Sequence, residues 1–114
     1  MPTRPLKIDK AQFGAKVGRH IFDFGKNPKI LADRDWLMRH ILDIYMNPTE
    51  IRDGTFSGQG TITSLGNVRG PVWFYAKGRD VVVTDKSDNF VTILKDGVLN
   101  NTSFRLAKVL SGRP

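Results

Sequence analysis

VWFYAKGRDVVVTDKSDNFVTIL, residues 72–94, is the stretch on which the fold turns. Val72-Trp73-Phe74-Tyr75, Val81-Val82-Val83-Thr84 and Phe90-Val91-Thr92-Ile93-Leu94 are rich in β-branched and aromatic residues, the types that suit a pleated, packed surface. Between them lie Lys77-Gly78-Arg79-Asp80 and the polar run Asp85 to Asn89, both with turn composition, and Lys95-Asp96-Gly97 closes the last run. Connections this short cannot hold a parallel crossover, so the three runs are expected to form an antiparallel meander. Alternation puts Trp73 and Tyr75 on one face of the sheet and Phe74 on the other.

Upstream, Gly66 to Gly70 reads as a loop, and Thr61 to Leu65 as either a strand or a loop. Gly54 to Gly60 is glycine-rich and polar, with Thr55 and Phe56 starting a further strand. Before that, Trp36, Leu37, His40, Ile41, Ile44 and Tyr45 recur at helical spacing, with Asp33 as the cap and Asn47-Pro48 as the stop. Asp9 is a candidate cap for an earlier helix from Lys10 to about Phe22, weakened by Gly14 and Gly18 and ended at Gly25-Lys26-Asn27-Pro28. Met1 to Ile8 reads as a loose lead-in, Thr102 to Leu110 as a short final helix, and Ser111 to Pro114 as a fraying tail. Helices first and strands after predict one α+β domain over residues 1–114. N-terminal helices pack on one face of an antiparallel sheet of about four strands.

The chain has 114 residues, of which 39% are hydrophobic, and a net charge of +7. That size allows one core. The charge says nothing of fold but attracts polyanions, nucleic acid before an anionic membrane or an acidic protein. With no cysteine, disulfides, thiolate nucleophiles and cysteine-based zinc sites are excluded together. No apolar run approaches the roughly 20 residues that cross a bilayer as a helix. Met1 to Lys10 is polar with two prolines, unlike a secretory leader, so the domain is expected to act in a cytoplasm or to be carried there by a longer chain.

Most catalytic equipment is missing. The two histidines, His20 and His40, have no metal-ligand spacing, Gly58-Gln59-Gly60 is neither a phosphate loop nor a dinucleotide fingerprint, and no serine lies in a nucleophile elbow. What remains is Lys16, Arg19 and His20, at i, i+3 and i+4, which share one face if the segment is helical. RNA carries its own nucleophile, the 2′-hydroxyl. Cleavage therefore needs a base for its proton, an acid for the 5′-oxygen and cations for the charge on the phosphorane. Neighbouring cations keep an imidazole neutral and able to accept that proton, and they also bind phosphate. The same spacing equally describes a solvated basic helix face with a structural histidine. His40, beside Trp36 and Ile44, reads as a core-edge residue. Trp73 and Tyr75 read as core or as a surface that stacks bases, and Thr92 and Lys95 could hold a phosphate at the end of the last strand.

Taken in order, several pieces resemble the colicin D-like nuclease domains of polymorphic bacterial toxins. They are Lys16-Val-Gly-Arg19-His20, Asp23-Phe24-Gly25, Gly54-Thr55-Phe56, Val72-Trp73-Phe74-Tyr75, Val81-Val82-Val83 and Asn89-Phe90-Val91-Thr92-Ile93-Leu94-Lys95. The resemblance spans about Lys16 to Gly97. It implies the barnase/EndoU/colicin/RelE-type fold, with N-terminal helices on a curved antiparallel sheet. It also implies a metal-independent endoribonuclease without cofactor, directed at RNA and often at tRNA near the anticodon, leaving a 2′,3′-cyclic phosphate. Delivery as the tip of a larger toxin, as in contact-dependent growth inhibition, action in the target-cell cytoplasm, and an acidic cognate immunity protein are implied as well. A host activating protein is a further candidate partner.

By that resemblance His20 is the catalytic histidine, preceded by the basic residues Lys16 and Arg19. Thr92 stands where the family has a serine, Lys95 where it has a lysine, and Leu94 where it has an active-site tryptophan. The stacking surface is then either lost or moved to Trp73 or Tyr75. The segment Gly58 to Gly70 is longer than the family pattern and offers Gln59 and Arg69 as further RNA contacts. Two other readings stay open: a non-catalytic RNA-binding module on the same basic surface, and a phage or virion structural domain whose charge serves assembly.

Overall fold

The computed structural model describes residues 5–8, 21–56, 62–63, 66–67 and 70–113. A single 3-10 turn, Ile21–Phe24, leads into the long helix α1, Leu31–Met46. Leu37, Ile41, Ile44 and Tyr45 form its buried stripe, at the spacing that keeps side chains on one helix face. The helix ends where the Asn47 N–H bonds to the Asp43 carbonyl at 2.9 Å and Pro48 follows. Its start corrects an expectation. Asp33 lies inside the first turn rather than capping it, and its carboxylate accepts the Asn27 N–H at 2.8 Å. A carboxylate in a first turn also suits the positive end of the helix dipole. The helix expected over Lys10 to Phe22 lies largely outside the described residues, and its last two positions belong to the 3-10 turn.

The strands are β1 (Glu50–Phe56), β2 (Ile62–Thr63), β3 (Gly66–Asn67), β4 (Gly70–Lys77), β5 (Asp80–Asp85), β6 (Phe90–Leu94) and β7 (Lys108–Val109). β2 and β3 form a separate two-stranded pair. The other five make an antiparallel sheet in the order β6-β5-β4-β1-β7, with the meander β4-β5-β6 where the sequence places it. Short helices α2 (Gly97–Asn100) and α3 (Thr102–Leu106) follow β6.

The fold class is α+β as expected, with three corrections. First, the sheet has five strands, not about four: the chain after α3 returns to the sheet as β7 instead of continuing a helix to Leu110. This return needs Gly54, where a Cβ would lie 2.7 Å from the Ala107 Cβ and 3.1 Å from the Phe74 ring. Second, both faces are covered. α1 packs with Ile51, Tyr75, Val82, Phe90 and Ile93, while Phe104 of α3 packs with Phe56, Phe74, Val81, Val83 and Val91 on the other face. Consecutive apolar residues such as Val81-Val82-Val83 point to both faces in turn, so one layer of helices could not bury them. Third, the described part of the lead-in, residues 5–8, is tied down. Lys7 bridges to Asn89, donating its N–H to the Asp88 carbonyl at 2.9 Å and accepting the Phe90 N–H at 2.7 Å, and Leu6 and Ile8 pack on the α1 side.

Candidate functional site

Lys16, Arg19, His20, Gln59 and Arg69 lie outside the described residues. The segment that follows His20 is described, and it is anchored: Ile21 is fully buried in the α1 cluster. Two residues on, Asp23 lines an open recess with Leu94, Lys95, Gly97, Asn100 and Asn101. The turn that follows His20 and the end of the last strand, through Asp23 and through Leu94 and Lys95, thus meet at one end of the sheet. Lys95 is exposed there. Leu94 packs on the α3 side and forms part of the recess wall. Arg79, in the β4–β5 turn at the same end of the sheet, is exposed too.

Thr92 does not join them. Its register partner is Val83, which places its side chain with the α3 cluster, and it is only 2% exposed. Its hydroxyl has no hydrogen-bond partner. A phosphate-holding role for Thr92 therefore fails on access. Thr92 shares its face with Leu94, two residues on, which pairs with Val81 of the same cluster; the bulge between Val83 and Thr84 lies beyond it, where β6 carries one residue more than β5 and Phe90 and Val91 point to opposite faces.

The aromatic pair of β4 lies elsewhere. Trp73 pairs with Thr84, and Leu94 with Val81, so Trp73 and Lys95 stand about 13 Å or more apart along the strand direction at roughly 3.3 Å per residue. Trp73 is half-buried, lies under Lys86 (ammonium 4.8 Å from the ring centroid), and lines a second recess with Asp53, Lys86 and residues 110–113. Lys86 also bonds the Asp53 carboxylate. Tyr75 is fully buried, so it offers no stacking surface. Its ring lies 4.8 Å from that of Tyr45, and the Arg113 guanidinium covers both rings at 5.3 and 5.0 Å. Burial pushes the Tyr75 phenol up to about 12, with smaller repulsion from Tyr45 and Asp88 and an opposing pull from Arg113.

One polar pair beside the first recess is not visible in the sequence. His40 Nε2 and Asp80 Oδ2 are 2.7 Å apart, and the other Asp80 oxygen accepts the Asp96 N–H at 2.9 Å. Trp36 stacks on the imidazole with ring centroids 4.9 Å apart, and Phe24 meets it edge-on at 5.5 Å. The neighbourhood of Trp36 follows from helical spacing. The carboxylate partner is 40 residues away, and only the hairpin geometry brings it there. One helical turn beyond His40, Lys77 Nζ bonds Asp43 at 2.6 Å, which holds the Asp43 carboxyl below its usual range.

Among the described residues no group of three or more His, Asp or Glu is placed to hold a metal ion, and no helix is long and apolar enough to cross a membrane. Comparison with known proteins finds no match to this chain, whether among family models, curated proteins or solved structures.

Proposed function

We propose that this domain is a metal-independent endoribonuclease that cleaves RNA, tRNA in or near the anticodon loop being the favoured substrate, through attack of the 2′-hydroxyl. One observation carries the reading: the recess in which Asp23, three residues after His20, and Lys95 form the same wall. It supports a site built from two distant segments, which is what the sequence pattern asks for. His20 takes the proton of the 2′-hydroxyl as that oxygen forms its bond to phosphorus. The bond to the 5′-oxygen breaks, a proton is supplied to that leaving oxygen, and a 2′,3′-cyclic phosphate remains. Lys16, Arg19 and Lys95 offset the charge of the phosphorane. Trp73, on its separate recess, is the one aromatic of the β4 pair with exposed surface for a base.

The +7 charge supports RNA as substrate and an acidic immunity protein as partner. Delivery within a larger toxin and action in the target-cell cytoplasm complete the proposal. The test is cleavage of total tRNA with end-mapping of the products. His20→Ala is expected to lower the rate by about 10²-fold or more with the melting temperature unchanged. Excess EDTA should leave cleavage intact. Near-normal activity of His20→Ala, or a metal requirement, rejects the mechanism. RNA that is bound but left whole favours the RNA-binding module instead.

A further inference from the structure

His40 lies at a junction of three chain segments. It belongs to α1, its ring meets Phe24 at the end of the turn that follows His20, and through Asp80 it reaches the turn that carries Lys95. That turn is tightly specified. Asp96 has φ 55°, a left-handed conformation that a non-glycine residue adopts only when its surroundings impose it. Gly97 follows, where a Cβ would fall 2.8 Å from the Leu94 Cβ and 3.0 Å from Val81 Cγ2. The Val98 N–H bonds to the Arg79 carbonyl at 3.1 Å. The Asp80 carboxylate thus holds the Lys95–Asp96 peptide by one oxygen and His40 by the other.

A half-buried polar pair of this kind is a poor source of net stability, since an apolar pair of similar shape serves as well or better. What it supplies is direction. The carboxylate can satisfy the Asp96 N–H in this geometry because the imidazole, clamped by Trp36 and Phe24, fixes its other oxygen.

We infer that His40, acting through Asp80, is a positioning residue that sets Lys95 against the turn Ile21–Phe24, which follows His20 in the sequence. The inference rests on the ribonuclease reading for its catalytic consequence, and on the free protein for its structural one. A displacement of about 1 Å at a reacting group costs up to about 10²-fold in rate. His40→Ala is therefore expected to lower kcat on tRNA at least about tenfold while KM moves by less than about threefold, as for loss of an interaction realised in the transition state. His40→Gln, whose amide N–H can still reach Asp80, should recover most of the rate. The double variant His40→Ala/Lys95→Ala should cleave no more slowly than Lys95→Ala alone, because residues that act through one another are not additive.

In the free protein the backbone amide resonance of Asp96 should shift in both His40→Ala and Asp80→Asn. Multiplicative losses in the double variant, or an Asp96 resonance unmoved by His40→Ala, would overturn the assignment. If the wild-type chain leaves tRNA whole, the ribonuclease reading fails by itself. The coupling is then decided by the amide: a shifted resonance upholds it and an unshifted one ends it.

Discussion

The two faces of the sheet are built from similar strands but carry different chemistry. Against α1 the packed residues include Tyr45, Tyr75 and Trp73, with Asp88 and Arg113 among them and the His40–Asp80 pair at the rim. Against α2 and α3 the cluster is aliphatic and phenyl: Phe56, Phe74, Phe104, Val72, Val81, Val83 and Val91. The difference teaches where to look for function. Apart from the buried Thr92 hydroxyl and the Arg52 guanidinium over Phe104, this face is phenyl and valine side chains, so its work is mainly cohesion. On the α1 side the Tyr45 hydroxyl donates to Asp88 and His40 bonds Asp80, and each such partnership in low dielectric fixes the positions of its members closely. The candidate site lies at the end of the sheet where the α1 side meets the Lys95 turn.

That contrast can be broken at its dry side first. Phe104 packs edge-on against Phe74, with centroids 5.8 Å apart, and lies under the Arg52 guanidinium at 4.2 Å. Phe104→Ala should destabilise the domain by about 3–5 kcal/mol, the usual loss for a buried phenylalanine. Cleavage per folded molecule, measured well below the new melting temperature, should change by less than about threefold. A large fall in the rate of the folded fraction would show that the dry face takes part in catalysis.

The wet side should reveal itself in alkali. The Tyr75 phenol is held up to about 12 from an ordinary value of 10.0. Below pH 10 the group is protonated in both states and its contribution is whole. As pH rises from 10 to 12 the unfolded chain loses this proton while the folded one keeps it, so stability falls by about 2–3 kcal/mol in all. Denaturant titrations at pH 8, 10 and 11.5 should show the wild type losing more stability over this window than Tyr75→Phe, in which that group no longer titrates. Parallel losses in the two proteins would mean that the phenol is not desolvated.

The sequence told the meander and α1 plainly, because hydrophobic runs and turn residues there agree with one another. The strand β7 was illegible: Lys108 and Val109 are both exposed, and nothing in two exposed residues marks a strand. β1 is legible only from Thr55 on, because Glu50, Arg52 and Asp53 hide Ile51 in a charged run, and Arg52 is accommodated by carbonyls of Phe104 and Arg105 that come from the far end of the chain. At the site, Lys95, singled out at the end of the last strand, lines the same recess as Asp23. The His40–Asp80 pair and the separation of Trp73 from Lys95 depend on strand register, which composition does not encode.

Thr92 is the smallest and sharpest test of the two-face contrast. By sequence position it belongs with Lys95; by register it faces Val83 on the dry side, where its hydroxyl has no partner. An unsatisfied buried hydroxyl costs roughly 1–3 kcal/mol, part of which a threonine recovers by rotating toward weak acceptors. Thr92→Val keeps the branched shape and removes the polar atom, so it should stabilise the domain by about 1 kcal/mol. Cleavage should persist within about threefold, since a side chain only 2% exposed cannot hold a substrate phosphate. A destabilised Thr92→Val would require a hydrogen bond to that hydroxyl. A variant that is stable yet inactive would require the strand to slip by one residue when RNA binds, which would bring Thr92 round to the α1 side and abolish the division between the faces.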